Sequence, residues 1–555
     1  MSPIRIFPLA LLALAQAALA QQPPSAGGQL QQIPPAPPAP RAPPEIRIQQ
    51  PDAPASAAAD QARIKVGALR VSGSRVYSEP ELVAIAGFRP GSELSLSELR
   101  EMAARITAHY RSHGYFVALA YLPQQQIRDN VVTIAVSEGQ YRNVTVNNTS
   151  NLSDRVVRGG LAGIGSGDPI LLEPLETRLL VLSDLPGVKV RSTLVPGESV
   201  GTSDLLVDVT PGNRISGSVD ADNAGNPYTG QWRVGATLNV NNPLGLGDVA
   251  GLRVLTSGEG LKYARASYQL QLGRGQVGVA YSKLDYRLGK EFESLGAHGT
   301  AEIASAFARY PLLRSRNASL YAQLGYDAKR FQDRIDAVPS VTDKRAQVWT
   351  ASLYGDQTDS LGGGGQTAYG LSLSSGTIDI QTPGALAVDA ATARSNGRFN
   401  KLAFNASRSQ SLGGPFSLYG AINGQLGSKN LDVSEKMELG GMYAVRAYPE
   451  GEAYADEGYV VTVEGRMLLP RFSPGQPGSL QAVAFVDAGS VRTNHTPWSA
   501  GDNRRTLSGA GVGLVWSDPG NFTVRGYYAH KLGSEKAMSS PDRSGRFWVQ
   551  GVKYF

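Results

Sequence analysis

The sequence predicts a mainly β protein, in which a 16-stranded antiparallel transmembrane β-barrel follows two small α/β domains. Three observations lead to this prediction: an N-terminal export signal, an internal repeat with a period of about 75 residues, and a long C-terminal region in which apolar and polar residues alternate. The 555-residue chain therefore divides into five segments. These segments are 1–20, 21–62, 63–139, 140–212 and 213–555.

Residues 1–20 are predicted to be a signal peptide. Arg5 supplies a positive start, residues 6–14 are apolar, and the small residues A-L-A at 18–20 form a cleavage site. A membrane anchor is the alternative, but the apolar run is too short to span a bilayer. The remaining sequence has no apolar stretch long enough for a transmembrane helix, so membrane insertion would require a barrel.

Residues 21–62 are predicted to form an extended, proline-rich linker. Eleven prolines lie within residues 21–55, a density typical of polyproline II and incompatible with a packed core. Within the linker, the segment SAGGQLQQI at 25–33 is expected to form a short helix of one or two turns at most.

Residues 63–139 and 140–212 are predicted to be two copies of one domain with the order β-α-α-β-β. The stretch GSELSLSEL at 91–99 aligns with GDPILLEPL at 167–175. The ends of the two copies, VTIAVSEG and LLVDVTPG, align as well. An internal repeat of this kind indicates modules that share a role.

Two capping boxes are predicted to open the helices of the first copy, Ser78 with Glu81 and Ser95 with Glu98. After the second box, apolar residues recur every three or four positions until Gly114, which marks the end of the helix.

Residues 213–555 are predicted to form the sixteen strands. In SLQAVAFVDAG at 479–489, one face carries only leucine, alanine and valine, and the opposite face includes glutamine, phenylalanine and aspartate. The segments 261–272 and 459–469 show the same period of two. An apolar outside, a polar inside and a terminal Phe555 are typical of outer-membrane barrels. A soluble β-sandwich or propeller is the alternative.

The composition argues against several classes of function. The chain has no cysteine, and its net charge of +6 is dispersed, so neither thiol chemistry nor nucleic-acid binding is indicated. His109 and His113 have metal-ligand spacing, but the segment HYRSH lacks the glutamate of the zinc motif, so surface histidines are favoured. Phosphate-loop and nucleophile-elbow motifs are absent from the sequence. We expect no catalytic activity, no cofactor and no metal.

One arginine stands in a glycine-rich and acidic stretch between two predicted barrel strands. Arg446 lies in a loop at about 432–458, and Asp487 lies on the lumenal face of its strand. If the loop folds back into the lumen, the two side chains could form a bidentate ion pair. Spacing alone favours the alternative, in which the two residues are unrelated.

The whole arrangement resembles the two-partner secretion transporters of Gram-negative outer membranes, the TpsB proteins of the ShlB/FhaC/HecB family. In the superfamily to which these transporters belong, the sixth extracellular loop carries a V-R-G-Y/F motif at its tip and tucks into the barrel. The arginine of this motif pairs with the aspartate of an F-x-D-x-G motif on strand thirteen. Here the two motifs read VRAY at 445–448 and FVDAG at 485–489. DNAGNPYTG, NNPLGLGD and YPLLRSR are also similar to this family.

The resemblance implies that Arg446 and Asp487 hold the sixth loop inside the barrel. The supporting motif residues would be Val445, Tyr448, Phe485 and Gly489. Ala447 departs from the motif, which has glycine there, and alanine restricts the backbone. We therefore expect a slightly different loop tip.

The resemblance also implies that the two repeats are polypeptide-transport-associated (POTRA) domains in the periplasm. They would bind an unfolded exoprotein at residues within 63–212, and the barrel would carry it to the cell surface or the medium. The expected partners are outer-membrane lipid and one large adhesin, haemolysin or toxin with an N-terminal secretion domain. The barrel is expected to function as a monomer. The alternatives are a barrel-assembly factor of the same superfamily and a passive porin.

Overall fold

Two short elements precede the domains in the computed structural model, helix α1 (Ala26–Gln31) and strand β1 (Glu45–Ile48). The structure describes residues 24–37, 45–48, 63–199 and 201–555. The predicted signal peptide lies outside the described residues. In the described part of the chain, no helix has both the length and the hydropathy needed to cross a membrane.

The first α/β domain contains two helices and five short strands. Its elements are β2 (Arg63–Val66), β3 (Ala68–Ser72), α2 (Glu79–Ala86), β4 (Ser92–Ser95), α3 (Leu96–Ser112), β5 (Leu119–Tyr121) and β6 (Val131–Ser137). In its main sheet, β6 lies between a parallel β3 and an antiparallel β5, and β2 pairs separately with β4.

The two predicted helix starts differ. At α3 the capping box is confirmed, because the Ser95 hydroxyl accepts from the Glu98 N–H and the Glu98 carboxylate accepts from the Ser95 N–H. At α2 the predicted box is wrong, since the Ser78 side chain makes no capping hydrogen bond. Pro80 removes one of the N–H groups that such a cap would use. Glu79 instead ties the start of α2 to the sheet by accepting from the Val71 N–H.

The second α/β domain repeats the order β-α-α-β-β, as predicted. Its elements are β7 (Gln140–Asn148), α4 (Asp154–Gly160), α5 (Leu172–Ser183), β8 (Val188–Pro196) and β9 (Thr202–Pro211). The sheet has the order β1-β8-β9-β7, so a strand of the linker is added to its edge. β1 runs parallel to β8.

Sixteen antiparallel strands close into a barrel, which confirms the predicted fold class. They are β10 (Ile215–Asp222), β11 (Arg233–Asn241), β12 (Val249–Thr256), β13 (Leu261–Leu272), β14 (Gly275–Arg287), β15 (Ala297–Arg314), β16 (Ala318–Ile335), β17 (Ser340–Asp359), β18 (Gly365–Ile380), β19 (Gly397–Gly413), β20 (Phe416–Gly427), β23 (Glu457–Leu468), β24 (Ser479–Arg492), β25 (Arg504–Asp518), β26 (Phe522–Lys531) and β27 (Gly545–Tyr554). β27 pairs with β10 and completes the ring. β24 is the thirteenth strand of the barrel.

The wall of the barrel follows the predicted alternation. On β24, Ala484 and Val486 are exposed on the outer surface, and Val483, Phe485 and Asp487 are buried inside. A wall with an apolar outside and a polar, filled interior is suited to a bilayer.

The connection between β20 and β23, residues 428–456, contains the two-residue strands β21 (Met437–Glu438) and β22 (Tyr454–Ala455). We call this connection the lumenal loop, because its buried residues contact the inner faces of barrel strands. A further helix, α6 (Pro383–Ala391), lies between β18 and β19.

The second α/β domain rests on one end of the barrel, which we call the near rim. Arg314 donates to Asp184 from Nε at 2.8 Å and from Nη2 at 3.0 Å. Asn151 and Asn242 exchange two hydrogen bonds of 2.9 Å. Gly187, immediately before β8, lies so close to the rim that an added Cβ would be 3.2 Å from the Asn241 Cβ. The strand β8 therefore begins at the near rim.

Candidate functional site: a loop fastened inside the barrel

Ion pairs fasten the first part of the lumenal loop to the barrel wall. Buried Glu435 accepts Lys329 Nζ at 2.6 Å and Lys401 Nζ at 2.8 Å, and buried Asp432 accepts Lys344 Nζ at 2.7 Å. The three lysines project from β16, β19 and β17. Because an unpaired charge is costly inside a protein, these pairs favour the inward position of the loop.

The chain reverses near the loop tip, where two positions require glycine. Gly441 has a φ of +108°, and a Cβ there would lie 2.4 Å from Glu450 Oε2. At Gly440 a Cβ would lie 2.5 Å from the Pro449 carbonyl oxygen. The glycines allow this close approach and place residues 445–448 against the wall.

Arg446 and Asp487 lie in contact at the centre of the site. The guanidinium donates from Nε to Asp487 Oδ2 and from Nη2 to Oδ1, both at 2.8 Å. The Arg446 backbone N–H also donates to Oδ2 at 3.1 Å. Arg446 is 4% exposed and Asp487 is 0% exposed, so the bidentate pair is shielded from water.

A second carboxylate completes the charge balance. Glu464 on β23 accepts Arg446 Nη1 at 2.8 Å, and its other oxygen accepts Arg466 Nε at 2.8 Å. Thr462, the register partner of Asp487 on β23, donates to Asp487 Oδ1 at 2.9 Å. Two arginines thus face two carboxylates, and each carboxylate accepts more than one hydrogen bond.

Aromatic rings form the apolar side of the site. The Arg446 guanidinium carbon lies 3.4 Å from the centroid of the Phe485 ring and 5.1 Å from that of Tyr527. The Arg446 carbonyl oxygen accepts from Trp548 Nε1 at 2.7 Å. The rings hold the guanidinium by cation–π contact, and Trp548 holds the Arg446 backbone.

The remaining motif residues support the loop tip. Val445 is fully buried and its N–H donates to the Leu439 carbonyl at 3.1 Å. Tyr448 is also fully buried, with its hydroxyl donating to the Glu535 carbonyl at 3.0 Å. At Gly489 a Cβ would lie 2.5 Å from Leu439 Cδ1, so this position leaves room for the loop.

Ala447 fits because the facing residue is a glycine. An added Cβ on Gly509 of β25 would lie 2.4 Å from the Ala447 Cβ. Ala447 is not among the described residues with positive φ, so its backbone does not require glycine. The alanine methyl group thus packs against Gly509, which is the register partner of Asp487 on the neighbouring strand β25.

Helix α1 lies in the lumen beside the loop. Gln32, just after the helix, donates to the Tyr454 hydroxyl at 2.6 Å, and Tyr454 donates to the Gly28 carbonyl at 3.2 Å. On the opposite side, the Ala26 N–H donates to Asp333 on β16 at 2.7 Å. The helix therefore fills the space between the loop and the β16 side of the wall.

Two carboxyl groups of the lumenal loop, outside the membrane-spanning strands, face each other near Arg233. Burial, and then the neighbouring carboxyl, raises the pKa of Glu438 well above its usual range. Burial likewise raises the pKa of Glu450 to about 7. Both shifts favour the protonated, neutral form of these carboxyl groups.

Sequence reasoning missed the role of Glu464, Thr462 and Trp548 in this site. A signal for the first two was available, because they share the lumenal face of a strand next to that of Asp487. The histidines with metal-ligand spacing lie elsewhere, His109 in the last turn of α3 and His113 directly after it, with ring centroids 4.3 Å apart. Among the residues that the structure covers, no group of three or more histidine or acidic side chains is arranged to hold a metal ion.

Two family models match the chain. One, described as haemolysin secretion/activation protein ShlB/FhaC/HecB, matches residues 201–516. The other, described as a ShlB-type POTRA domain, matches residues 64–139.

Full-length relatives and a solved structure are also similar. The heme/hemopexin transporter protein HuxB of Haemophilus influenzae is 31% identical over 482 residues, which cover 86% of this chain and 84% of HuxB. The outer membrane transporter CdiB of Escherichia coli is 24% identical over 494 residues, covering 85% and 80% of the two chains. A solved structure of CdiB from Escherichia coli has a TM-score of 0.71 at 20% identity, over 91% of this chain and 93% of that chain, which shows the same fold.

Proposed function

We propose a route of protein secretion for this chain, which belongs to the haemolysin secretion/activation family of ShlB, FhaC and HecB. The chain is a two-partner secretion transporter, with its barrel in the outer membrane and POTRA domains in the periplasm. In the proposed route, residues 63–212 bind the N-terminal secretion domain of an unfolded exoprotein. The barrel then passes the exoprotein, in an extended form, to the cell surface or the medium.

The fastened loop is the observation that carries this proposal. Arg446 attaches the loop tip to β23 and β24, whereas α1 lies against β16 on another part of the wall. If α1 leaves while Arg446 stays bound to Asp487, space opens beside β16 and the loop remains in place. The ion pair would therefore hold the loop in a position that is compatible with transport.

Strand addition is the proposed mode of recognition in the periplasm. An extended segment that pairs with a sheet edge gains backbone hydrogen bonds whatever its side chains are. This suits an unfolded exoprotein. Transport needs a direction as well, and folding of the exoprotein at the cell surface would supply it without a nucleotide. We propose no catalytic activity, and a single barrel as the functional unit.

The nature of the exoprotein is proposed only as a class. One relative is described as a heme/hemopexin transporter and another, from Proteus mirabilis, as a hemolysin transporter. Because the relatives are described by different cargoes, family membership supports a large secreted exoprotein without selecting one kind.

The proposal is tested by comparing culture supernatant and outer-membrane proteins, with and without this gene, by mass spectrometry. Loss of one large surface or secreted protein, with other barrels unchanged, is the expected result, and it identifies the exoprotein. A general loss of outer-membrane barrels would contradict the proposal and indicate that the protein is a barrel-assembly factor. If the secreted and membrane proteins are unchanged while the partner gene is expressed, the result would contradict the proposal and favour a passive porin.

A further inference from the structure

One sector of the outer wall is basic at the end of the barrel that lies away from the α/β domains, which we call the far rim. Strand β15 ends at Arg314 on the near rim, so β16 runs from the near rim to the far rim and β17 returns. Near the far rim, four exposed basic side chains project outward from β14, β16, β17 and β19. These four, which we call the cationic patch, are Lys283, Arg330, Arg345 and Arg398.

The patch begins where the apolar outer surface of the wall ends. On β16 the outward residues from Leu320 to Ala328 are leucine, alanine and tyrosine, and Arg330 is the next outward residue. Eight residues span about 26 Å of strand, or about 20 Å of bilayer at a tilt of about 40°. Tyr326 and Trp349, with ring centroids 4.8 Å apart, lie on this apolar surface near its outer boundary, as in an aromatic girdle. The patch therefore lies at the level of the headgroups of the outer leaflet.

Two arginines of the patch face each other across adjacent strands. Arg330 of β16 and Arg345 of β17 are register partners, so their Cβ atoms are about 5 Å apart. Like charges at directly opposite positions are destabilising. Within the described part of the chain, neither arginine forms a hydrogen bond or an ion pair, and the same is true of Arg398. A bound anion would supply the missing partner and remove the repulsion.

The nearest acidic side chains leave this positive charge in place. Glu302 is the register partner of Arg330, but it forms its ion pair with Lys283 at 3.6 Å. Asp379 is the register partner of Arg345, but the structure contains no ion pair between them. The four basic side chains of the patch and these two acidic ones leave a net charge of +2.

Another sector of the far rim has an arginine pair that is neutralised within the wall. Arg492 of β24 and Arg504 of β25 are also register partners. Arg492, however, forms an ion pair of 3.4 Å with its other register partner, Glu457 of β23. The unneutralised pair is therefore a feature of the β16–β17 sector and not of every arginine pair at the far rim.

We propose that the cationic patch binds the phosphorylated headgroup of lipopolysaccharide, the glycolipid of the outer leaflet. Arg330 and Arg345 would share one phosphate, because guanidinium groups bind phosphate with paired N–H donors. Arg398 lies two strands from Arg345, about 10 Å across the sheet, and would bind a second phosphate. The acyl chains would lie on the apolar surface beneath the arginines. The barrel would therefore hold a lipid at one sector of its wall.

Lipid binding by the purified transporter tests this assignment. The measurement is the Kd of the full-length protein, in a neutral detergent, for fluorescent lipid A that carries two phosphates. Arg330→Gln/Arg345→Gln should bind at least about tenfold more weakly than the wild type, because it removes the shared phosphate contacts. Arg330→Lys/Arg345→Lys keeps the charges but loses the paired donors, so its Kd should lie between the two. Heat-modifiable migration on gels should show that both variants contain a folded barrel.

The matched control removes the arginine pair of the other sector. Arg492→Gln/Arg504→Gln should bind lipid A within about twofold of the wild type. Lipid A that carries one phosphate should bind the wild type more weakly than the form with two, and excess inorganic phosphate should not displace it. Equal Kd values for the wild type and Arg330→Gln/Arg345→Gln would overturn the inference. Displacement by inorganic phosphate would also overturn it, because the patch would then be a site for small anions.

Discussion

Two arginine–aspartate pairs in this molecule have nearly the same geometry and very different surroundings. Arg446 and Asp487 in the lumen form two hydrogen bonds of 2.8 Å, and their side chains are 5% and 0% exposed. Arg314 and Asp184 at the near rim form bonds of 2.8 and 3.0 Å, with side chains 18% and 20% exposed. The hydrogen-bond distances do not distinguish the two pairs, but the exposure of their side chains to solvent does.

The comparison teaches what burial adds to an ion pair. If one partner is removed at the rim, water can hydrate the charge that remains. In the lumen, the remaining charge stays buried among aromatic rings and a second carboxylate. We infer that the lumenal ion pair stays formed during transport, whereas the ion pair at the near rim can break.

The largest effect is expected from Asp487→Ala and Arg446→Ala. Either change breaks a buried ion pair by removing one partner, which typically costs about 3–5 kcal/mol. The loop tip should detach, and secretion of the exoprotein should fall at least about tenfold, as measured by immunoblot of the supernatant. Heat-modifiable migration on gels should show that the barrel still folds in the membrane.

Two further variants sharpen this test. Arg446→Lys keeps the charge but loses the bidentate geometry, so its secretion should lie between the wild type and the alanine variant. Arg504→Ala removes an exposed arginine of β25 and should secrete normally. Normal secretion by both Asp487→Ala and Arg446→Ala would show that the pair has no role in transport.

An intermediate effect is expected at the contact between Ala447 and Gly509. Gly509→Ala places a methyl group 2.4 Å from the Ala447 Cβ and should push the loop tip away from Asp487. Overpacking of this kind typically costs about 1–3 kcal/mol, so secretion should fall less than with Asp487→Ala. The measurement is again the exoprotein in the supernatant, at matched levels of membrane-inserted barrel.

The double variant separates this contact from a general defect. Ala447→Gly removes the opposing methyl group, so Ala447→Gly/Gly509→Ala should recover most of the secretion lost in Gly509→Ala. If the double variant is no better than the single one, the alanine does not act through its contact with Ala447.

The regular parts of the molecule could be predicted from the sequence, because their signals are local. A period of two over ten or so residues predicted each strand, and the count placed FVDAG at 485–489 on strand thirteen, where β24 lies. The two α/β repeats followed from internal alignment. The capping box at Ser78 was a false local signal, because Pro80 changes the donors available at that helix start.

The site could not be predicted from spacing, because its contacts join distant parts of the chain. For Arg446 and Asp487 a pair was one of two open interpretations, spacing alone favoured two unrelated residues, and it was the family resemblance that implied the pair. The lysines that hold Asp432 and Glu435 come from three separate strands, and no local pattern links them to the loop. Ala447 was expected to alter the loop tip, but its fit depends on Gly509, which lies 62 positions along the chain.

The smallest effect is expected at the near rim, with Asp184→Ala or Arg314→Ala. A partly exposed pair typically contributes about 0.2–1 kcal/mol, so either variant should secrete within about threefold of the wild type. Exchange of the two charges, Asp184→Arg/Arg314→Asp, should restore any loss, because the pair would re-form with the opposite polarity. Supernatant levels of the exoprotein measure both. A rim variant that secretes as poorly as Asp487→Ala would contradict the comparison. Transport would then require the Arg314–Asp184 ion pair to stay formed throughout.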